Sequence, residues 1–94
     1  MKVNKIGVVG AGQMGHGIAL VSAQAGFTVI LRDIKKEFVD KGINRIEKFL
    51  DKSVEKQKIT ENDKKKILSR ISGTTKLTDL KDADLVIEAI FENI

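Results

Sequence analysis

The sequence predicts an α/β fold, a doubly wound parallel sheet with a helical hairpin inserted between strands 2 and 3. Three observations predict it. A glycine-rich turn, Gly10-Ala11-Gly12-Gln13-Met14-Gly15, separates a short apolar run from a stretch of helical period. The next apolar run ends on an acid, Asp33, 23 residues after Gly10. Two amphipathic stretches then precede the third and fourth apolar runs.

Each element follows from its local pattern. Lys5-Ile6-Gly7-Val8-Val9 reads as a short buried strand running into the glycines. From Gln13 the period changes: Met14, Ile18, Val21 and Ala25 recur at helical spacing, and Gly26 stands where a helix C-terminal cap belongs. Phe27-Thr28-Val29-Ile30-Leu31 is a second strand, rich in β-branched residues, and Asp33 closes it. A strand–helix–strand unit this short implies parallel strands joined by a right-handed crossover.

A long helix is expected next. Val39, Ile43, Ile46, Leu50 and Val54 form its stripe, with Phe38 and Phe49 beside it. Thr60-Glu61-Asn62-Asp63 resembles a capping box with Asp in place of Glu, so a second helix starts there, with Ile67, Leu68 and Ile71 as its apolar face. The two helices make an antiparallel hairpin over about 35–71. The third strand is short, around Ser72 to Thr75. Asp82-Ala83-Asp84 leads into Leu85-Val86-Ile87, a continuous apolar run typical of a central parallel strand. The chain stops at Ile94 a few residues later, so residues 1–94 are expected to be the N-terminal part of a larger protein.

Composition narrows the class. Hydrophobic residues at 41% and charged residues at 32% argue against wholesale disorder. No apolar run is long enough to span a membrane, and no signal-peptide pattern follows Lys2. The absence of cysteine excludes disulfides, thiolate metal sites and cysteine nucleophiles, and it fits a reducing cytoplasm. The net charge of +4 lies wholly between Lys35 and Lys66, where eleven Lys and Arg face seven Asp and Glu; the remainder holds six of each. Such a segment attracts a phosphorylated ligand or forms a solvated helical face. With few aromatics and no nucleic-acid motif, the chain gives little support to nucleic-acid binding.

The glycine turn matches G-x-G-x-x-G in its strong context: it leaves a strand, opens a helix, and is followed by an acid at the end of the next strand. Gly10 permits the tight turn, Gly12 lets backbone approach a pyrophosphate, and Gly15 lets the helix pack closely on the strand. The amides and dipole at the helix start favour phosphates. A carboxylate at Asp33 accepts hydrogen bonds from the adenosine ribose and repels a 2′-phosphate, which favours NAD over NADP. Arg32, Lys35 and Lys36 nearby weaken that discrimination, and Asp33 also suits a cap for the following helix. His16, the single histidine, sits at a helix N-terminus beside the expected phosphates, so a loop-shaping role suits it better than catalysis.

Gly10-Ala11-Gly12-Gln13-Met14-Gly15-His16-Gly17-Ile18-Ala19, Leu31-Arg32-Asp33-Ile34, the hairpin, Arg70-Ile71-Ser72-Gly73-Thr74 and Asp84-Leu85-Val86-Ile87-Glu88-Ala89 together resemble the 3-hydroxyacyl-CoA dehydrogenases, especially the bacterial 3-hydroxybutyryl-CoA type. The likeness covers essentially the whole chain, and the hairpin makes it specific. It implies a Rossmann-type domain that holds NAD, paired in the family with a helical C-terminal domain that dimerises. It implies oxidation of the 3-hydroxyl of an acyl-CoA by NAD, or the reverse. Residue by residue, the loop and Asp33 match the family's cofactor contacts. Ala89 matches a residue whose backbone borders the cofactor, and Glu92 an acid near its ribose. Lys52 and Lys56, four apart on one helix face, match lysines near the CoA phosphates; a solvated pair is the plain alternative. The likeness also puts the catalytic His, its partner Glu and the Ser, Asn and Lys of the family beyond Ile94. Two other readings stand beside it: a β-hydroxyacid dehydrogenase of the hydroxyisobutyrate type, and a non-catalytic nucleotide-binding module.

Overall fold

The computed structural model describes residues 2–89. In chain order they form β1 (Lys5–Val9), α1 (Gln13–Gln24), β2 (Thr28–Arg32), α2 (Lys36–Glu55), α3 (Glu61–Ser69), β3 (Ile71–Thr74), a 3₁₀ turn (Leu77–Leu80) and β4 (Leu85–Glu88). The strands make one parallel sheet in the order β3-β2-β1-β4. The chain winds outward from β1 through β2 to β3, then returns to the other side of β1. The sheet therefore reverses direction between β1 and β4, the place where doubly wound sheets hold ligands at the carboxyl ends of their strands.

Side-chain alternation sorts the sheet into two faces. Ile6, Val8, Val29 and Leu31 enter the main core with Ala19, Leu20 and Ala23 of α1, Ile46 and Leu50 of α2, and Ile67 of α3. On the opposite face a Cβ on Gly7 would meet Leu80 of the 3₁₀ turn at 2.7 Å, so that turn lies directly on β1.

α2 buries the expected stripe: Val39, Ile46 and Leu50 are buried, and Ile43 and Val54 half-buried. The capping box of α3 forms as expected: the Asp63 amide donates to the Thr60 hydroxyl, and the Thr60 amide donates to the Asp63 carboxylate. Its hydrogen bonds hold the Asp63 carboxyl below its ordinary pKa. Asp51 of α2 pairs with Lys64 of α3, closing the hairpin. Gly26, with φ +102°, follows α1 in the left-handed region; its amide bonds the Ala23 carbonyl, and the Phe27 amide bonds the Ser22 carbonyl.

Three expectations need correction. The buried face of α1 is Gly15, Ala19, Leu20 and Ala23, whereas Met14 is 47% and Val21 63% exposed. The helix lies so close to the sheet at Gly15 that only small residues fit at i, i+4 and i+8, and the larger apolar residues turn outward. Ile71 opens β3 instead of ending the α3 face, because Arg70 caps α3 and its carbonyl already accepts the Val29 amide. Leu85-Val86-Ile87 is not central among the described residues. There β4 pairs only with β1, and Leu85 and Val86 stay 45% and 47% exposed.

Candidate functional site

The site grows from the turn between β1 and α1. Gly10 takes φ +106°, a conformation open mainly to glycine, and its amide donates to the Arg32 carbonyl at 2.7 Å. The Ala11 amide donates to the Asp33 carboxylate (Oδ2) at 2.8 Å, and the Ile34 amide to its Oδ1 at 2.7 Å. The Asp33 amide donates to the Thr74 carbonyl at 3.2 Å, and the Ala89 amide to the Val9 carbonyl at 2.8 Å. The ends of β1, β2, β3 and β4 are thus stitched together by backbone at the switch point.

A Cβ on Gly15 would sit 1.6 Å from the Gly10 carbonyl oxygen and 3.7 Å from the Ala89 Cβ. No side chain fits there while α1 keeps its place. A Cβ on Gly12 would meet nothing within 4 Å, since that side opens onto the cleft. Gly12 is also the N-cap of α1, with no side-chain cap and no acid in the first turn. The first amides of α1 therefore face outward unclaimed, and the positive end of its dipole is not neutralised. α3 differs, because its own capping box claims those groups.

Gly10, Gly12, Gln13, Met14, Asp33, Ile34 and Ala89 line a single cleft of about 850 Å³. Six sequence-predicted residues are among them. Ala11 and Gly15 lie beneath its floor; Ala11 is 3% exposed, and its amide is spent on Asp33. Glu92 lies outside the described residues. His16 donates from Nδ1 to the Gly12 carbonyl at 2.7 Å, which fixes its tautomer and braces the loop. Ile34, which the sequence presents only as part of the family-like run after β2, joins the cleft as well; an apolar residue straight after the acid was the available signal. Lys52 and Lys56 stand apart from the cleft, in the last turn of α2 and at its C-cap, both exposed. Counting from Gly42, which touches the loop, Lys52 is roughly 15 Å further along the helix.

Strand order, an uncapped helix start over three spaced glycines and an acid at the end of β2 define a dinucleotide-binding domain of the Rossmann class. Residues 5–94 match the family described as 3-hydroxyacyl-CoA dehydrogenase, NAD binding domain, and the chain belongs to that family, whose cofactor is NAD. It is 55% identical over 89 residues to a probable 3-hydroxybutyryl-CoA dehydrogenase of Deinococcus radiodurans, covering 95% of this chain and 32% of that protein. A probable 3-hydroxybutyryl-CoA dehydrogenase of Bacillus subtilis is 45% identical over 94 residues, covering 100% and 33%. The crystal structure of (S)-3-hydroxybutyryl-CoA dehydrogenase from Ralstonia eutropha superposes with a TM-score of 0.95 at 44% identity, over 99% of this chain and 33% of that one. The chain thus spans about a third of the length of these relatives.

Proposed function

We propose that the protein carrying this domain is an NAD-dependent 3-hydroxyacyl-CoA dehydrogenase, acting on 3-hydroxybutyryl-CoA or a close homologue in fatty-acid or butanoate metabolism. The observation that carries the reading is the cleft at the switch point, with Asp33 at one end, the unclaimed amides of α1 in the middle and Ala89 at the other. Bound there, NAD supplies the hydride acceptor. The chain's own residues bind and orient it. The amides of Gly12, Gln13 and Met14 suit the pyrophosphate. Asp33 has accepted one hydrogen bond on each oxygen, which leaves lone pairs free for ribose hydroxyls. Ala11 and Gly15 support from below, Ala89 borders the cofactor, and Glu92 is assigned to the ribose by resemblance. Proton transfer belongs to residues outside this chain.

The hairpin supports an acyl-CoA partner through its charge. At 100° per residue, Lys41, Arg45, Lys48, Lys52 and Lys56 fall within roughly 100° of arc on α2. Glu37, Asp40, Glu47, Asp51 and Glu55 form an adjoining stripe, with Glu37 and Glu55 roughly 20° from Lys48, and Lys36 lies on that side, paired with Asp40. A continuous cationic stripe of this kind suits a surface that meets phosphates. We assign Lys52 and Lys56 to the CoA phosphates. The proposal includes a homodimer formed through the family's helical C-terminal domain, in the cytoplasm. Among the described residues, no helix is long and apolar enough to cross a membrane.

Calorimetry with NADH and NADPH tests the cofactor half. NADH is expected to bind much more tightly, and Asp33→Ala to weaken it by about 1–3 kcal/mol, the scale of lost charged hydrogen bonds. Equal affinities would remove Asp33 from its role. Steady-state kinetics test the hairpin. Replacing Lys52 and Lys56 together by Ala is expected to raise the KM for acetoacetyl-CoA several-fold at low ionic strength and leave that for NADH unchanged. Unaltered acyl-CoA kinetics would make the lysines a solvated pair.

A further inference from the structure

α2 packs against the glycine loop at Gly42. A Cβ on Gly42 would lie 2.8 Å from the Ala11 carbonyl oxygen, 3.1 Å from the Ala11 Cβ and 3.3 Å from Leu31 Cδ2. Gly42 is buried inside a twenty-residue helix, where glycine weakens the helix relative to alanine. Its presence there answers a steric demand from the loop. Ala11 is gripped from two directions: its amide is held by Asp33, and its carbonyl rests against the bare backbone of Gly42. It is also the residue between the first two glycines of the loop, so any shift of Ala11 moves Gly12 and the unclaimed amides behind it.

A second glycine contact on the same helix supplies the contrast. A Cβ on Gly73 of β3 would meet Val39 Cγ1 at 2.4 Å and Ile43 Cδ1 at 3.0 Å. Those are side-chain atoms of α2, beside Leu31 and one residue short of the end of β3, and they can yield without moving the backbone of the glycine loop. The atom facing Gly42 is a backbone carbonyl, which can yield only by moving the loop.

We infer that Gly42 is a positioning residue for the dinucleotide: the α2 surface at Gly42 sets the height of the Ala11–Gly12 backbone, and through it the geometry of the phosphate-binding amides. This rests on NAD binding at the glycine loop.

The test compares Gly42→Ala with Gly73→Ala in the full-length protein, reading NADH affinity by fluorescence titration, KM for NADH and for acetoacetyl-CoA, and melting temperature. Gly42→Ala is expected to weaken NADH on the order of tenfold, as a displaced binding group does. Its melting temperature should change little, since the gain in helix propensity opposes the strain. The KM for acetoacetyl-CoA should stay as it was. Gly73→Ala is expected to lower the melting temperature and leave NADH affinity intact. If Gly42→Ala does not fold, Ala11→Gly loosens the same contact from the loop side without adding an atom, and it should raise the NADH dissociation constant several-fold. Unchanged NADH affinity in a folded Gly42→Ala protein, equal losses from both glycine replacements, or an unaffected Ala11→Gly would overturn the inference. Failure of the wild type to bind NADH would overturn the cofactor reading itself, a separate result.

Discussion

Around the glycine loop, backbone meets backbone. Gly15 lies against the Gly10 carbonyl, Gly42 against the Ala11 carbonyl, and Gly10 and Ala11 donate to the end of β2. In the α2–α3 hairpin, side chains meet side chains. Val39, Ile46 and Leu50 of α2 and Ile67 of α3 are buried, Asp51 pairs with Lys64, and most other positions are exposed. The difference teaches where the molecule has slack. Side chains can shift around an intruding atom, but a loop carbonyl yields only if the loop moves, so an added methyl group is absorbed locally in one region and displaces the binding backbone in the other.

Gly15→Ala is the strongest way to break that comparison. With a carbonyl oxygen 1.6 Å from the new Cβ, α1 must lift off the sheet, and the expected loss of stability is about 4 kcal/mol or more, together with NADH binding. Urea unfolding measures it; a folded Gly15→Ala protein that still binds NADH would show that the loop has more slack than argued. Leu50→Ala, in the hairpin, should cost about 3 kcal/mol by leaving a cavity, yet the folded fraction should bind NADH as the wild type does. A Leu50→Ala protein with weakened NADH would tie the two regions more closely than Gly42 alone does.

The next test sharpens the comparison at the far end of the sheet. The Asp84 carboxylate accepts the amides of Asn4 at 2.8 Å and Lys5 at 2.9 Å, and these bonds hold its pKa below the ordinary value. A depressed folded pKa stabilises the protein above the unfolded pKa of about 3.9 and is lost as the pH falls through the folded one. Asp84→Ala should therefore melt lower than wild type at pH 7, and the two curves should converge in acid. A constant gap down to the lowest accessible pH would mean that the carboxylate's charge contributes nothing.

The smallest effect compares two helix ends. α2 finishes as α1 does, with the Gln57 amide on the Val54 carbonyl and the Lys58 amide on the Ser53 carbonyl, but Gln57 occupies the left-handed position at φ +60° where α1 has Gly26. Gln57→Gly should gain about 0.5–1 kcal/mol by relieving the Cβ. Gly26→Gln should lose a similar amount. A destabilised Gln57→Gly protein would show that the glutamine side chain makes up for its backbone.

Much of this was legible in the chain itself. The glycine spacing, Asp33 at the end of a β-branched run, the α2 stripe and the Thr60–Asp63 box are local patterns, each set by residues a few positions apart, so periodicity and capping chemistry reveal them. The choice of buried face on α1 was not local. Met14 and Val21 are the more apolar residues, yet Ala19 and Ala23 are buried, because the sheet's approach at Gly15 leaves room only for small side chains. The same holds for Gly42: within its helix it looks like a weak point, and only the loop packed across it explains it. Ile34 joins the cleft, and Ala11 drops beneath it, for a like reason, since the packing of the turns beyond β1 and β2, both bonded to the Asp33 carboxylate, decides which side faces outward. The sequence by itself determined the elements and the chemistry of the cofactor loop, because those depend on neighbours along the chain. Which atoms face the cleft, and which glycines must stay bare, was decided only by tertiary structure, because close approach of backbones is a property of segments distant in sequence.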